Sequence, residues 1–149
     1  MSRDTLQQML YHLVRVGCGG IFLYASWGKI LDPAGFARMI QNYQLLPPEL
    51  VYPAAVVLPW VEALCGLSLV SGAWAGGGLA VFSALMAAFT AALALNAVRG
   101  IDVECGCFSV AAGAGSGRVL EALLRDVAIL AAALWALRHR VRREAVGAR

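Results

Sequence analysis

The sequence predicts an all-α integral membrane protein, a four-transmembrane-helix bundle with a short amphipathic interfacial helix between spans one and two. Of its 149 residues 60% are hydrophobic and 14% are charged, whereas soluble domains average about 45–50% apolar and about 25% charged residues. So few polar residues cannot cover the surface of a small soluble fold. Composition therefore excludes a soluble enzyme, a secreted disulfide scaffold and a disordered chain.

Four apolar windows approach the roughly 20 residues that a helix needs to cross a bilayer. We predict a single membrane domain (residues 1–149) with spans at about 10–29, 51–71, 74–98 and 119–137. The fourth span is the least apolar, because Glu121, Arg125 and Asp126 lie in its first half. The first apolar stretch is too long for a cleavable signal peptide and is expected to remain as a signal anchor.

The connection between spans one and two predicts a helix of its own, at about residues 33–45. Asp32 and Pro33 form the pattern of an N-cap followed by proline at the first helical position. One face of this segment then repeats apolar side chains at helical spacing: Phe36, Met39, Ile40 and Tyr43. Such a short amphipathic helix is typical of the membrane interface.

Basic residues set the predicted orientation. The basic tail, residues 138–149, and Arg3 together outnumber the basic residues of the two loops on the opposite side. The positive-inside rule then places both termini in the cytoplasm of a multi-pass protein of the bacterial inner (cytoplasmic) membrane. The tail also fits attraction to anionic lipids, although a charge cluster that sets topology explains it more simply. The small net charge of +3 gives no sign of nucleic-acid binding.

The motif Cys105-Gly106-Cys107 carries the predicted chemistry, in the loop expected to face an oxidising compartment. Two thiols one residue apart can close a small, strained disulfide ring, and strained, exposed disulfides tend to be the catalytic ones. A redox-active dithiol is the first interpretation. A soft-metal site and a static structural disulfide remain open, although a bridge this short constrains little of the chain.

Cys18 and Cys65 are predicted near mid-membrane, as small packing residues or as an intramembrane thiol relay. Arg15 with Cys18, and Glu62 with Cys65, are each three residues apart and share a helix face. Intramembrane charges usually have partners, so we predict an Arg15–Glu62 pair, with Arg125 as the other possible partner. The antiparallel register expected here puts Arg15 at the depth of Cys65, and its offset between the cysteines argues against a ready disulfide.

Metal or cofactor chemistry finds little support in the remaining residues. His12 and His139 are isolated and are predicted on the side opposite to Cys105 and Cys107, so these histidines and cysteines are not expected to form a metal cluster. Phosphate-binding loops, dinucleotide fingerprints and serine-nucleophile motifs are absent from the sequence.

An ordered set of short motifs between Phe22 and Phe108 resembles the MauE branch of the DoxX-like membrane proteins. The motifs are Phe22-x-Tyr24-Ala25-Ser26-x-x-Lys29, Asp32-Pro33-x-x-Phe36, Asn42-Tyr43-x-Leu45-Leu46-Pro47, Leu58-Pro59-Trp60-x-Glu62-x-x-x-Gly66, Arg99-Gly100 and Cys105-Gly106-Cys107-Phe108. Ser109 stands where the family pattern has glycine, which is a minor departure.

The resemblance implies a redox-associated protein that helps to form or manage disulfides in exported proteins, with a thioredoxin-fold partner in trans. The layout is also similar to DsbB and vitamin K epoxide reductase, which couple a dithiol to a quinone, and this likeness is an analogy only. It makes quinone the expected acceptor, with Trp27, Lys29 and Trp60 as candidate neighbours.

We therefore expect a membrane thiol–disulfide oxidoreductase in which Cys105 and Cys107 exchange with the partner. Electrons pass to a lipid-soluble acceptor such as quinone, or through Cys18 and Cys65. Two other functions stay open: a soft-metal (Cu, Hg or Zn) transporter or metal-handling protein, and a non-catalytic membrane anchor for a thioredoxin-like protein. The oligomeric state does not follow from the sequence.

Overall fold

The computed structural model describes residues 3–100 and 116–147 as five α-helices. They are α1 (Arg3–Leu31), α2 (Pro33–Asn42), α3 (Pro48–Ser71), α4 (Ala75–Val98) and α5 (Ser116–Gly147). The predicted all-helical class is confirmed. The Cys105-Gly106-Cys107 motif lies outside the described residues.

Two of these helices, α3 and α4, are long and apolar enough to cross a membrane. Their 24 residues each correspond to about 36 Å of helix, against a hydrocarbon core of about 30 Å. Large apolar side chains remain exposed around the bundle, among them Leu13, Leu64 and Trp27, as expected of a surface that meets lipid. That α1 and α5 also span the membrane stays a prediction from the sequence.

The packing of α1 against α3 is closest at Gly19 and Gly66, where the two backbones touch. A Cβ atom on Gly66 would lie 2.8 Å from the carbonyl oxygen of Gly19, and one on Gly19 would lie 2.9 Å from that of Gly66. Small residues permit such close approach between transmembrane helices. This crossing fixes the antiparallel register of α1 and α3.

Helix α2 begins as predicted. The Asp32 carboxylate accepts a hydrogen bond from the backbone N–H of Gly35 at 2.8 Å, with Pro33 as the first helical residue. The polar residues Arg38, Gln41 and Asn42 are exposed. On the opposite face Phe36 is buried against the bundle, so this helix covers one end of the protein.

We call this end, where α1 ends and α3 begins beneath α2, the α2 end of the bundle. The opposite end holds the tight turn between α3 and α4 and the basic residues of α5. Helix α5 continues through those residues to Gly147. Between the two ends, buried side chains of α1, α3, α4 and α5 form the main core around Phe22 and Phe82, whose ring centres lie 4.2 Å apart.

Two glycine substitutions should change stability in opposite directions. Gly66→Ala introduces a Cβ against backbone atoms of α1 and should lower the free energy of unfolding by about 1–3 kcal/mol. Gly20→Ala adds a Cβ where no atom lies within 4 Å, and its higher helix propensity should raise that free energy by up to about 1 kcal/mol. Denaturant titration in detergent micelles measures both. Equal effects of the two changes would contradict the crossing.

Candidate functional site

A buried ion pair joins α1 and α3 at the α2 end. The ammonium nitrogen of Lys29 lies 2.7 Å from one carboxylate oxygen of Glu62 and 2.8 Å from the other. Both side chains are almost fully excluded from the surface. A buried charge is tolerated only when it is paired and hydrogen-bonded, so each residue requires the other.

This pair corrects the predicted partner of Glu62. Arg15 does not pair with Glu62 but donates from Nη1 to the carbonyl oxygen of Leu69 at 2.6 Å. Its guanidinium lies beside Gly72, which ends α3 with a positive φ of 82°, and so neutralises carbonyl groups at a helix C-terminus. Arg125, the other predicted candidate, donates to Asp126 at 3.2 Å.

The reason for the correction is the register of α1 against α3. Contact at Gly19 and Gly66 shifts the two helices by about one turn from the alignment expected from span lengths. Arg15 therefore reaches the end of α3 rather than the level of Cys65, and Lys29 reaches Glu62.

A cavity of about 280 Å³ lies beneath α2, next to the ion pair. All five helices and the α2–α3 connection contribute to its wall, which is mostly apolar. Its lining residues are Lys29, Phe36, Met39, Ile40, Tyr43, Leu45, Leu46, Leu58, Ala88, Phe89, Ala92, Leu93 and Asp126. The whole predicted apolar face of α2 is among them, so this face covers the cavity.

Aromatic rings flank the ammonium group of Lys29 at this cavity. The nitrogen lies 4.9 Å from the ring centre of Phe36 and 5.2 Å from that of Phe89, within the range of cation–π attraction. Asp126 of α5 also lines the cavity and is 1% exposed. An apolar cavity with a few ionisable groups in its wall is typical of a small-molecule site.

Asn96 is a second buried polar residue near this end of the bundle. It is completely buried, and within residues 3–100 and 116–147 neither its amide nitrogen nor its oxygen has a hydrogen-bond partner. It lies on α4 one turn beyond Leu93, which lines the cavity and packs with Ala122 of α5. Buried polar groups are usually satisfied, so Asn96 marks a place where further polar atoms belong.

The cysteines of the described helices lie deeper in the bundle. Cys18 and Cys65 are both buried free thiols in the main core, and Cys65 donates to the carbonyl oxygen of Gly78 at 3.2 Å. The packing role predicted for them fits this environment. Their part in an electron relay stays a prediction.

The three residues predicted near a quinone occupy different places. Lys29 lines the cavity, whereas Trp27 and Trp60 are 69% and 57% exposed on the outer surface of the bundle. Their rings suit the lipid boundary, where tryptophan is enriched. In the described residues, no group of three or more His, Cys, Asp or Glu side chains could hold a metal ion.

The segment that carries Cys105 and Cys107 starts and ends at the α2 end. Leu93 and Ala122 pack together, which aligns the last residues of α4 with the first residues of α5. Arg99 is exposed just after α4. The cavity and the attachment points of the segment therefore share one end of the bundle.

The sequence alone does not place Asp126 at this site or Asn96 near it, and it gives Lys29 without its partner. The signal was present, since polar residues inside apolar spans are rare and usually face the bundle interior. What could not be predicted is which of them meet, because that depends on the helix register.

Breaking the ion pair should be more harmful than removing it. Lys29→Met leaves the Glu62 carboxylate buried without its cation and should lower the free energy of unfolding by about 3–5 kcal/mol. The double variant Lys29→Met with Glu62→Met should regain most of that loss. Arg38→Met on the exposed face of α2 serves as control, with a change within about 0.5 kcal/mol. Denaturant titration measures all three, and a double variant no more stable than Lys29→Met would contradict the pairing.

Comparison with known proteins identifies the family. The MauE family model, described as methylamine utilisation protein MauE, matches residues 7–139. Methylamine utilization protein MauE of Paracoccus denitrificans is 32% identical over 109 residues, covering 72% of this chain and 59% of the relative. That of Methylophilus methylotrophus is 36% identical over 84 residues, covering 56% and 44%.

The matched region spans about half the length of these curated relatives. No solved structure matches the chain at a significant level. The family match, together with the two long apolar helices, indicates a membrane protein. The chain belongs to the MauE family.

Proposed function

We propose that this protein is a membrane thiol–disulfide oxidoreductase whose Cys105 and Cys107 exchange disulfides with a thioredoxin-fold partner in trans. The observation that carries the proposal is the Cys-Gly-Cys motif in the segment between α4 and α5. The relatives are named for methylamine utilisation. In such a setting this chain would act as an accessory protein that helps to form disulfides in an exported protein. Membership of a wider DoxX-like group stays an expectation from the resemblance.

The exchange proceeds through a mixed disulfide. The thiolate of a reduced partner attacks one sulfur of the Cys105–Cys107 disulfide, and the second partner thiol then resolves the intermolecular bond. The partner leaves oxidised, and Cys105 and Cys107 are left as a dithiol. Reoxidation of this dithiol requires an acceptor of two electrons and two protons.

A lipid-soluble acceptor such as quinone is the route that the packing favours. Cys18 and Cys65 lie in the main core of the bundle and are not among the residues that line the cavity. The cavity under α2, in contrast, has ionisable side chains in its wall and lies at the end of the bundle where α4 and α5 meet the Cys-Gly-Cys segment. The intramembrane cysteine relay is the second route.

The proposed topology has four spans, with both termini in the cytoplasm of a bacterial inner-membrane protein. The helices α1 and α5 provide the two spans beyond α3 and α4. Their charged residues support this arrangement, since the buried Lys29 and Asp126 and the half-buried Arg15 all have partners in the described helices. The Cys-Gly-Cys segment then faces the oxidising side.

Thiol trapping in intact cells tests the proposal. A variant with Cys18→Ser and Cys65→Ser retains only Cys105 and Cys107, and a membrane-impermeant maleimide large enough to shift the band reports their exposure. We expect labelling from outside only after reduction. Free thiols that react only after permeabilisation would invert the topology and overturn the assignment in favour of metal handling.

Two double cysteine variants distinguish the three candidate functions. With Cys18→Ser and Cys65→Ser, a quinone-coupled enzyme keeps its rate of partner oxidation, whereas an enzyme that needs the relay and a metal transporter both lose activity. With Cys105→Ser and Cys107→Ser, partner oxidation should fall at least a hundredfold. Undiminished partner function in that second variant would identify a non-catalytic anchor instead.

A further inference from the structure

We propose that the cavity under α2 is where the quinone head group binds, with Lys29 donating a hydrogen bond to one of its carbonyl oxygens. This inference rests on the proposed function, because the electrons come from the dithiol of Cys105 and Cys107. It replaces the looser grouping of Lys29 with two surface tryptophans by a site made of Lys29, Phe36, Phe89 and Asp126.

The size and opening of the cavity fit one ring with an apolar tail. Its volume of about 280 Å³ lies just below the roughly 300–1,000 Å³ found for small-molecule sites. Such a volume accommodates a single substituted ring but not a long isoprenoid chain. Leu45, Leu46 and Ala88 line the cavity and are also exposed, so a tail can leave there into the lipid.

The charges in the wall favour a neutral head group that accepts a hydrogen bond. An ammonium group has three N–H donors, and the two carboxylate oxygens of Glu62 use two of those of Lys29. The charges of Lys29 and Glu62 cancel, and the Asp126 carboxylate in the wall lies 3.2 Å from Arg125. Because Lys29 is already neutralised by Glu62, an anionic ligand such as a fatty acid would gain no counter-charge from it, whereas a carbonyl oxygen would meet its remaining N–H donor.

The aromatic side chains favour a planar ligand. Phe36 on α2 and Phe89 on α4 both line the cavity and lie about 5 Å from the Lys29 nitrogen. Their rings can stack on a flat ring whose carbonyl points to that nitrogen, since aromatic pairs prefer offset or edge contacts. A neutral, planar, carbonyl-bearing ring with an apolar tail describes a membrane quinone.

The redox step balances without another reactant. Two S–H bonds break at Cys105 and Cys107, one S–S bond forms, and two electrons and two protons leave. The quinone takes up both electrons and both protons, so that its two carbonyl oxygens become the hydroxyl groups of a quinol. Lys29 and Tyr43 line the cavity and carry N–H and O–H protons, and Asp126 lines it as a carboxylate that can accept a proton.

The test is photoaffinity labelling of the full chain in lipid nanodiscs with a short-tailed azido-ubiquinone. Ala92 lines the cavity and is half-buried, whereas its neighbour Ala91 is exposed outside it. We expect label on peptides from α2 and α4, at least a tenfold loss in Ala92→Trp, and no loss in Ala91→Trp. Ala88→Trp, at the mouth of the cavity, provides a second blocking variant in case Ala92→Trp fails to fold.

The outcomes separate this inference from the proposed function. Equal labelling in the cavity variants and in Ala91→Trp would overturn the site. The site would also be overturned if quinone oxidised the Cys105–Cys107 dithiol of a folded Ala92→Trp protein at the same rate as in the parent. That result would leave the proposed oxidoreductase function intact. If labelling survives Cys105→Ser with Cys107→Ser, and quinone does not oxidise the dithiol of the parent protein, the binding site is upheld and the quinone route of the proposed function is overturned.

Discussion

Backbone contact between α1 and α3 at Gly19 and Gly66 is the constraint on which the rest of the structure depends. It permits a single antiparallel register, because a slip along either helix would bring side chains into a space that admits none. That register places Lys29 against Glu62 at one end and Arg15 against the last carbonyl groups of α3 at the other. Two interactions that neutralise buried charge therefore follow from one steric contact.

The register also explains what could and could not be predicted from the sequence. Helix positions follow from apolar windows and from local signals, and the Asp32 cap of α2 is a case in which the side chain and its hydrogen-bond partner are separated by only three residues. The partner of Glu62 is 33 residues away. Span lengths alone estimate the relative depth of two helices only to about a turn, which is enough to exchange Arg15 for Lys29.

For the candidate site too, some features can be predicted from the sequence and others cannot. Its individual polar residues are visible as exceptions in apolar spans, and the apolar face of α2 is visible as a periodic pattern. The pattern predicts a helix that lies at the membrane interface, and in the structure the apolar face of this helix lines the cavity of the bundle. A hydrophobic stripe specifies burial but does not distinguish lipid from protein as the partner, and only the assembled helices decide between them.

A ligand bound in the cavity would affect the stability of the whole fold. Every helix contributes at least one lining residue, so a bound molecule holds together segments that are distant in the chain, and its binding free energy adds to that of folding. A ligand present at 100 times its dissociation constant stabilises a folded protein by about 2.7 kcal/mol. Detergents that strip small lipids would then lower the thermal stability of an unchanged sequence, and the lipid composition of the host membrane becomes a variable in the yield of folded protein.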